Sequence, residues 1–116
     1  RTCKPVSSSD WARIQDVVRY IDDHCSSALR IADLSAIACM SPTKFKETFK
    51  KANGKTVTGY VQERRMSQAE LLLKQPDLTI EQIARSVGYT CTSRFSELFR
   101  REVGMLPSEY RKALRP

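Results

Sequence analysis

Apolar residues recur at steps of three and four along most of the chain, which is the spacing of one face of an α-helix. The clearest stripes lie in the segments 10–24 and 58–74. The stripe of the first segment consists of Ile14, Val17, Val18 and Ile21. No run alternates between apolar and polar positions between turn signals, so we predict no β-strand. The pattern therefore predicts an all-α chain.

Residues that start and stop helices divide the chain further. Ser41 is a cap followed by a proline at the first helical position, 79–82 is a capping box, and Gly54 and Gly104 are C-terminal stops. The other candidate caps are Ser8 or Ser9 for the first helix and Thr90 for the sixth. The predicted helices are 10–24, 31–38, 42–53, 58–74, 80–87, 91–104 and 107–114.

One short unit of the chain occurs twice. SPTKFKETFKKANG at 41–54 and TCTSRFSELFRREVG at 90–104 share the frame F-x-x-x-F-[KR]-[KR]-x-x-G. The short helices before them also align at an offset of 49 residues, with Ile31 opposite Ile80. The second turn region contains one extra residue, so the offset between the basic helices is 50. Each copy is a short helix, a tight turn and a capped basic helix, which is the pattern of a helix-turn-helix.

The charge of the chain favours an anionic partner. Its 116 residues include 20 Lys and Arg against 13 Asp and Glu, which gives a net charge of +7. Nucleic acid is the first expectation and a membrane surface the second. The apolar runs are too short to cross a bilayer, no signal-peptide core opens the chain, and phenylalanines lie only on the core-facing stripes of the basic helices. Because the chain begins with Arg1, we expect a piece of a longer protein.

Candidate chemistry is sparse in this sequence. The cysteines Cys3, Cys25, Cys39 and Cys91 are scattered, and His24 is the only histidine. Zinc requires four clustered nitrogen or sulfur ligands, so we predict no metal and no cofactor. Reduced thiols indicate a cytoplasmic protein. Paired acids beside a histidine, a G-x-S-x-G sequence and a phosphate loop are all absent from the sequence, so we predict no enzyme.

These motifs together resemble the DNA-binding domain of the AraC/XylS transcription regulators over about residues 10–114. Each motif is weak by itself, but their order and spacing are specific. The motifs are A-C-M-S-P at 38–42, Y-V-x-x-x-R-M-x-x-A-x-x-L-L at 60–73, I-x-x-I-A-x-x-V-G-Y at 80–89, F-S-x-x-F-[KR]-[KR] at 95–101 and G-x-x-P-S-E-Y-R at 104–111.

The resemblance implies seven helices in two homeodomain-like, three-helical helix-turn-helix subdomains. These would be 10–57 and 75–116, joined rigidly by a connecting helix at 58–74, with 1–9 as a linker or tail. Two recognition helices would enter successive major grooves, which are about 34 Å apart. The expected function is sequence-specific binding of double-stranded promoter DNA, as an activator that contacts RNA polymerase. A small-molecule effector would act only through an N-terminal domain that this chain lacks, and the piece alone would be a monomer.

The resemblance also assigns the site residues. The predicted base-reading residues are Thr43, Lys46 and Glu47 in the first recognition helix, and Thr92, Ser93, Ser96 and Glu97 in the second. The predicted phosphate contacts are Ser41, Lys44, Lys50, Lys51, Arg64, Thr90, Arg94, Arg100 and Arg101. Lys46 can donate to guanine, and the two glutamates can accept from the amino group of cytosine.

The sequence alone leaves three alternatives open. Glu47 can instead pair with Lys51, and Glu97 with Arg101, along their own helices, which adds only about 0.2–0.5 kcal/mol per pair. The lysines and arginines at the helix ends can bind phosphate or simply solvate those ends. A protein-interaction module that docks an acidic partner is the competing function.

Three residues depart from the family pattern. Cys39 stands where glycine is usual, Thr58 replaces a proline but can cap the connecting helix, and Leu106 replaces a threonine and weakens the last cap. Arg65 lies on the inward stripe, so we expect it to bond buried carbonyls or an acid, whereas Arg64 points towards phosphate.

Overall fold

The computed structural model describes residues 7–114, which form seven α-helices and no strand. The helices are α1 (Ser8–His24), α2 (Ile31–Ile37), α3 (Pro42–Asn53), α4 (Val57–Leu73), α5 (Ile80–Ser86), α6 (Thr92–Val103) and α7 (Pro107–Leu114). The predicted all-α, seven-helix fold is confirmed. Most of the predicted tail at 1–9, including Cys3, lies outside the described residues.

Contacts within the chain define two compact units. The first unit contains α1, α2, α3 and the start of α4 as far as Val61. The second unit contains α4 from Gln62 onwards, α5, α6 and α7, together with the segment Cys25–Ser27 that follows α1. The boundaries predicted at 57 and 74 stay a prediction.

The first unit packs around the phenylalanine pair of α3. Phe45 and Phe49 have no exposed surface, and their ring centroids are 5.8 Å apart. Tyr60 closes the cluster with its ring centroid 5.8 Å from that of Phe49. The remaining core side chains are Val57, directly before the predicted start of the connecting helix, and six residues of the predicted apolar stripes: Ile14, Val17, Ile21, Leu34, Ala38 and Val61. Burying this stripe leaves the opposite face of α3 to solvent.

The second unit repeats this packing around α6. Phe95 and Phe99 are fully buried with ring centroids 5.8 Å apart, and the ring of Tyr110 lies 5.5 Å from that of Phe99. The other buried side chains are Met66, Ala69, Leu73, Ile83, Ala84, Val87 and Leu98. Because the aromatic residues keep their positions in the repeat, both basic helices are held by the same kind of core.

Most predicted helix ends are confirmed. The Ser41 hydroxyl accepts a hydrogen bond from the Lys44 backbone N–H at 3.2 Å. Thr79 and Gln82 form the reciprocal capping box, with bonds of 3.1 and 2.9 Å. α3 and α6 end at glycines in the left-handed conformation, Gly54 and Gly104.

Two helix starts differ from the prediction by one or two residues. The Ser7 hydroxyl, rather than that of Ser8 or Ser9, accepts the Asp10 backbone N–H at 3.2 Å. Thr56, rather than Thr58, caps α4 by accepting the N–H of Gly59 at 3.1 Å. In both cases the helix begins earlier than the apolar stripe indicates.

The start of α6 contradicts the predicted Thr90 cap. The helix begins at Thr92, and the capping position is taken by Cys91, whose backbone is extended. Within residues 7–114 the Cys91 side chain makes no capping hydrogen bond. The extra residue of the second turn region moves the helix start one position beyond Thr90.

The missing side-chain cap at the start of α6 leads to a testable prediction about stability. Replacing Cys91 with serine is expected to raise the free energy of unfolding by about 0.5–1 kcal/mol, because serine supplies the missing acceptor at an extended capping position. Thr90→Ala should change it by less than about 0.5 kcal/mol. Urea denaturation followed by circular dichroism measures both. A loss in Thr90→Ala with no gain in Cys91→Ser would restore Thr90 as the cap.

The last helix has a different N-terminal partner. Leu106 offers no side-chain acceptor, as predicted, but its backbone N–H donates to the Glu109 carboxylate at 2.9 Å. This is the half of a capping box in which the side chain of the fourth residue accepts the N–H of the capping residue; a threonine would supply the other half.

The two helix-turn-helix turns have the same hydrogen bonds. Cys39 donates its N–H to the Ala36 carbonyl at 3.1 Å, and its counterpart Gly88 donates to Arg85 at 3.1 Å. Cys39 has a φ of 56° and Gly88 a φ of 102°. Both residues are therefore left-handed, and in the first turn an exposed cysteine occupies this position instead of the usual glycine.

Candidate nucleic-acid interface

α3 presents one continuous polar face to solvent. Thr43, Lys46, Glu47 and Lys50 are all exposed, at helical steps of three and one. The opposite face of the helix carries the buried phenylalanines. The amphipathic pattern of α3 therefore places all three predicted base readers of this helix on its open side.

α6 presents a similar but less open face. Ser93 and Glu97 are exposed, whereas Thr92 and Ser96 are half-buried. The buried face consists of Phe95, Leu98 and Phe99. The structure thus brings the predicted base readers of α6 to one side, with two of them reachable only in part.

Within residues 7–114, the alternative ion pairs along α3 and α6 are not formed. Among residues 7–114, Glu47 makes no ion pair with Lys51, and Glu97 makes none with Arg101. Both carboxylates are exposed, so neither is neutralised along its own helix. A carboxylate on a face that meets DNA is repelled by phosphate unless it accepts a hydrogen bond from a base.

The predicted phosphate contacts are exposed side chains on both units. In the first unit these are Ser41, Lys44, Lys50 and Lys51, and in the second they are Arg64, Thr90, Arg94, Arg100 and Arg101. The Ser41 hydroxyl caps α3, and Lys44 lies 3.6 Å from the Asp10 carboxylate, so both already have a partner. Lys50, Lys51, Arg100 and Arg101 occupy the last turns of their helices, where a cation also interacts favourably with the helix dipole.

A groove beside α3 adds residues that the sequence reasoning missed. It has a volume of about 390 Å³, and Lys46, Glu47 and Lys50 line one side of it. Thr56 and Thr58, at the start of α4, line the other side. Their position directly after a recognition helix was visible in the sequence, but a search for basic residues passes over threonines.

Arg65 does not belong to the exposed face. Its Nε–H donates to the Cys25 carbonyl at 2.6 Å, and a terminal nitrogen donates to the Ser27 carbonyl at 2.8 Å. The expectation that Arg65 bonds carbonyls is confirmed, while Arg64 beside it is exposed.

Metal ligation and membrane insertion find no support in the described residues. Across 7–114, His, Cys, Asp and Glu side chains form no group of three that could hold a metal ion. Over the same range, no helix combines the length and the apolar character needed to cross a membrane.

Comparisons with known proteins match this geometry. A family profile described as a helix-turn-helix domain matches residues 34–113. The regulatory protein PocR of Salmonella typhimurium is 35% identical over 103 residues, which cover 89% of this chain and 34% of PocR. The regulatory protein SoxS of Escherichia coli is 31% identical over 101 residues, which cover 87% of this chain and 94% of SoxS. The chain therefore spans about a third of PocR and nearly all of SoxS.

Solved structures give the same answer. The DNA-binding domain of AdpA, solved in complex with a target DNA, superposes with a TM-score of 0.84 at 27% identity, covering 89% of this chain and 93% of that one. The C-terminal domain of AraT, a response regulator from Geobacillus stearothermophilus, has a TM-score of 0.84 at 25% identity, covering 97% and 91%.

Two basic helices on matching helix-turn-helix scaffolds define the class of DNA-binding domains. The profile match spans most of the chain, and PocR and SoxS are both regulatory proteins. The chain belongs to the AraC/XylS family and is the DNA-binding domain of a transcription regulator. The predicted family and DNA-binding function are confirmed, and the assignment of individual site residues stays a prediction.

Proposed function

We propose that the chain reads a specific promoter sequence by placing α3 and α6 in successive major grooves of one duplex. The observation that carries this proposal is the repetition of an exposed polar face on two helices with the same buried phenylalanine pair, the same turn hydrogen bonds and the same left-handed stop. Folding stability requires the buried face of each helix but places no such demand on the exposed one.

Base reading falls to the N-terminal halves of the two helices. In α3, Lys46 donates to guanine and Glu47 accepts from cytosine, with Thr43 beside them. In α6, Ser93 and Glu97 reach the groove most fully, since they are exposed. Thr92 and Ser96 complete the set of readers, with contacts limited to the outer part of each side chain.

The cations around these faces neutralise phosphates. Lys50, Lys51, Arg100 and Arg101 extend from the ends of the recognition helices, and Arg64 and Arg94 add to them. Lys44 exchanges its Asp10 carboxylate for a phosphate on binding, so its net contribution is smaller than that of an unpaired lysine. Ser41 and Thr90 complete the set through their hydroxyls.

We propose regulatory partners by comparison with the relatives. SoxS, which is matched over 94% of its length, is itself a regulatory protein, so we propose that DNA binding needs no further domain. The proposed mode of action is activation through contact with RNA polymerase. A small-molecule effector would act through an additional domain, for which a relative of about three times this length has room.

We propose a monomer that binds DNA in the cytoplasm, where bacterial promoters lie, and that carries out no chemistry of its own. Charge alone equally suits an acidic protein partner, but such a partner would not account for two matched faces.

Two substitutions separate base reading from phosphate binding. Lys46→Ala is expected to reduce discrimination at one base pair of a selected operator by about 1–3 kcal/mol, because one donor to a base edge is lost. Arg100→Ala should weaken binding to all sequences alike and reduce the magnitude of the salt slope by about 0.9, the value for one phosphate. Fluorescence anisotropy at several salt concentrations measures both.

The control for these variants is Lys74→Ala, which removes an exposed lysine beyond the end of α4. It should leave base discrimination unchanged. The proposal is wrong if the unmodified chain binds random duplexes as tightly as its operator at the same salt concentration. The affinity for a specific site should be higher by about 10³-fold or more.

A further inference from the structure

Arg65 connects the turn before α6 to the segment that follows α1. Besides its bonds to the carbonyls of Cys25 and Ser27, its guanidinium carbon lies 5.1 Å from the centroid of the Tyr89 ring. A guanidinium at this distance from an aromatic face is attracted by the ring quadrupole. All of these atoms lie within the second unit.

The backbone of the turn lies directly against this cluster. A Cβ atom at Gly88 would be 2.8 Å from the Ser26 carbonyl oxygen and 3.1 Å from the guanidinium carbon of Arg65. Only a residue without a side chain permits this approach. The turn is thus held at Gly88 by Ser26 and Arg65, and the Tyr89 ring, which Arg65 also contacts, lies 6.1 Å from the Phe95 ring.

The position of the first residues of α6 depends strongly on the turn before this helix. The first residues of α3 depend less on their preceding turn. In α3 the Ser41 hydroxyl fixes the first helical turn. In α6 the capping position is held by Cys91, which in the described chain makes no side-chain capping bond. The base readers Thr92 and Ser93 follow immediately. Their placement therefore rests on the contacts of Gly88 and Tyr89 rather than on a cap.

We propose that Arg65 is a positioning residue for DNA recognition: it fixes the turn at Gly88 and Tyr89 and thereby sets the base reading of α6 but not that of α3. This inference rests on the proposed function, since it assumes that α6 reads bases. Arg65 itself touches no DNA. Its loss loosens the turn, and the readers of α6 then sample several positions against the base edges.

Arg111 provides a matched control within the same unit. Its Nε–H donates to the Leu73 carbonyl at 3.3 Å, and a terminal nitrogen donates to the Gln75 carbonyl at 3.1 Å. Arg111 thus holds the chain after α4 as Arg65 holds the chain after α1. Within residues 7–114, however, Arg111 lies over no aromatic ring. Replacing either arginine removes two hydrogen bonds to carbonyls, but only one replacement releases the turn before α6.

The test is a scan of single base-pair changes through an operator selected from random duplexes. Dissociation constants are measured for the unmodified chain, Arg65→Met and Arg111→Met, with thermal unfolding as the check on folding. Lys46→Ala and Ser93→Ala identify the base pairs read by α3 and by α6. In the unmodified chain each mismatch is expected to weaken binding about 5- to 150-fold.

Arg65→Met is expected to reduce discrimination to less than about 3-fold at the base pairs of α6 while preserving it at those of α3. Arg111→Met should preserve both sets. Arg65→Lys keeps the positive charge but lacks the paired N–H donors of the guanidinium group. It should therefore retain part of the discrimination that Arg65→Met loses. If Arg65→Met does not fold, Tyr89→Leu replaces it, because this change removes the ring contact and leaves both carbonyl bonds in place.

Two results would overturn the proposal. Uniform weakening of all sequences in Arg65→Met, with unchanged ratios at every base pair, would mean that Arg65 is only structural. Loss of discrimination at the base pairs of α3 as well would mean that its effect is not specific to the turn. The unmodified chain could also discriminate only at the base pairs read by α3 and at none read by α6. This result would contradict both the role of Arg65 and the reading of DNA by two helices.

Discussion

Phe99→Ala is expected to lower the free energy of unfolding of the second unit by about 3–5 kcal/mol. Phe99 has no exposed surface, and its ring lies 5.8 Å from that of Phe95 and 5.5 Å from that of Tyr110. Alanine loses the transfer free energy of the ring and leaves a cavity between α6 and α7. Whole domains are stable by only about 5–15 kcal/mol, so this loss removes much of the stability of one unit.

Phe49→Ala is the matched control in the first unit. Its ring is equally buried and lies 5.8 Å from both the Phe45 and the Tyr60 rings. Native-state hydrogen exchange resolves the two units, and each substitution should reduce protection mainly in its own unit. Phe99→Ala should also abolish the DNA contacts of α6. A loss below about 1 kcal/mol in either variant would show that the phenylalanine pair does not hold its helix.

Gly88→Ala is the second substitution with a large expected effect, a destabilisation of at least about 2 kcal/mol. Two causes add. A φ of 102° is strained for any residue with a Cβ, and the new carbon would lie 2.8 Å from the Ser26 carbonyl oxygen. Since this oxygen belongs to the backbone, the collision is relieved only by moving the turn.

Gly54→Ala isolates the two causes. Gly54 is also left-handed, with a φ of 73°, but apart from its two chain neighbours no described residue comes within 4 Å of a Cβ built there. Its replacement should cost only the conformational term of about 1 kcal/mol. Urea denaturation of both variants gives the difference. Equal losses would mean that the approach of Ser26 to Gly88 does not constrain the turn.

Local signals in the sequence predicted most of the fold. Apolar stripes located the helices, because helical burial imposes its period on the sequence. The capping box at Thr79 and the stops at Gly54 and Gly104 were found because each depends on a few adjacent residues. The Thr90 cap was wrong, since the alignment of the two copies shows that one residue is inserted but not which residue then occupies the capping position.

Contacts between distant residues could not be predicted in the same way. The Tyr60 hydroxyl donates to Asp22 at 2.7 Å, and the Tyr110 hydroxyl donates to Glu70 at 3.2 Å. These partners are 38 and 40 residues apart, and no periodic pattern connects them. Burial, and after it the charge of Glu70 and the hydrogen bond to it, raise the pKa of Tyr110 above its ordinary value of 10.0.

The site was predictable in part for the same reason. The exposed faces of α3 and α6 follow directly from the positions of their phenylalanines. The half-burial of Thr92 and Ser96, and the pairing of Lys44 with Asp10, depend on how other helices pack and were not foreseeable. The contact of Arg65 with the turn before α6 also depends on tertiary packing. Its position on the inward stripe indicated only that Arg65 has a structural role.

Hydroxyl-radical footprinting of the chain on its selected operator is the decisive measurement. If both α3 and α6 enter the major groove, two protected segments should appear on one face of the duplex, separated by about one helical turn of 10–10.5 base pairs. Phe99→Ala should remove one segment and Phe49→Ala the other. A single protected segment with the unmodified chain, unaffected by one of these two substitutions, would contradict the reading of one duplex by two matched helices.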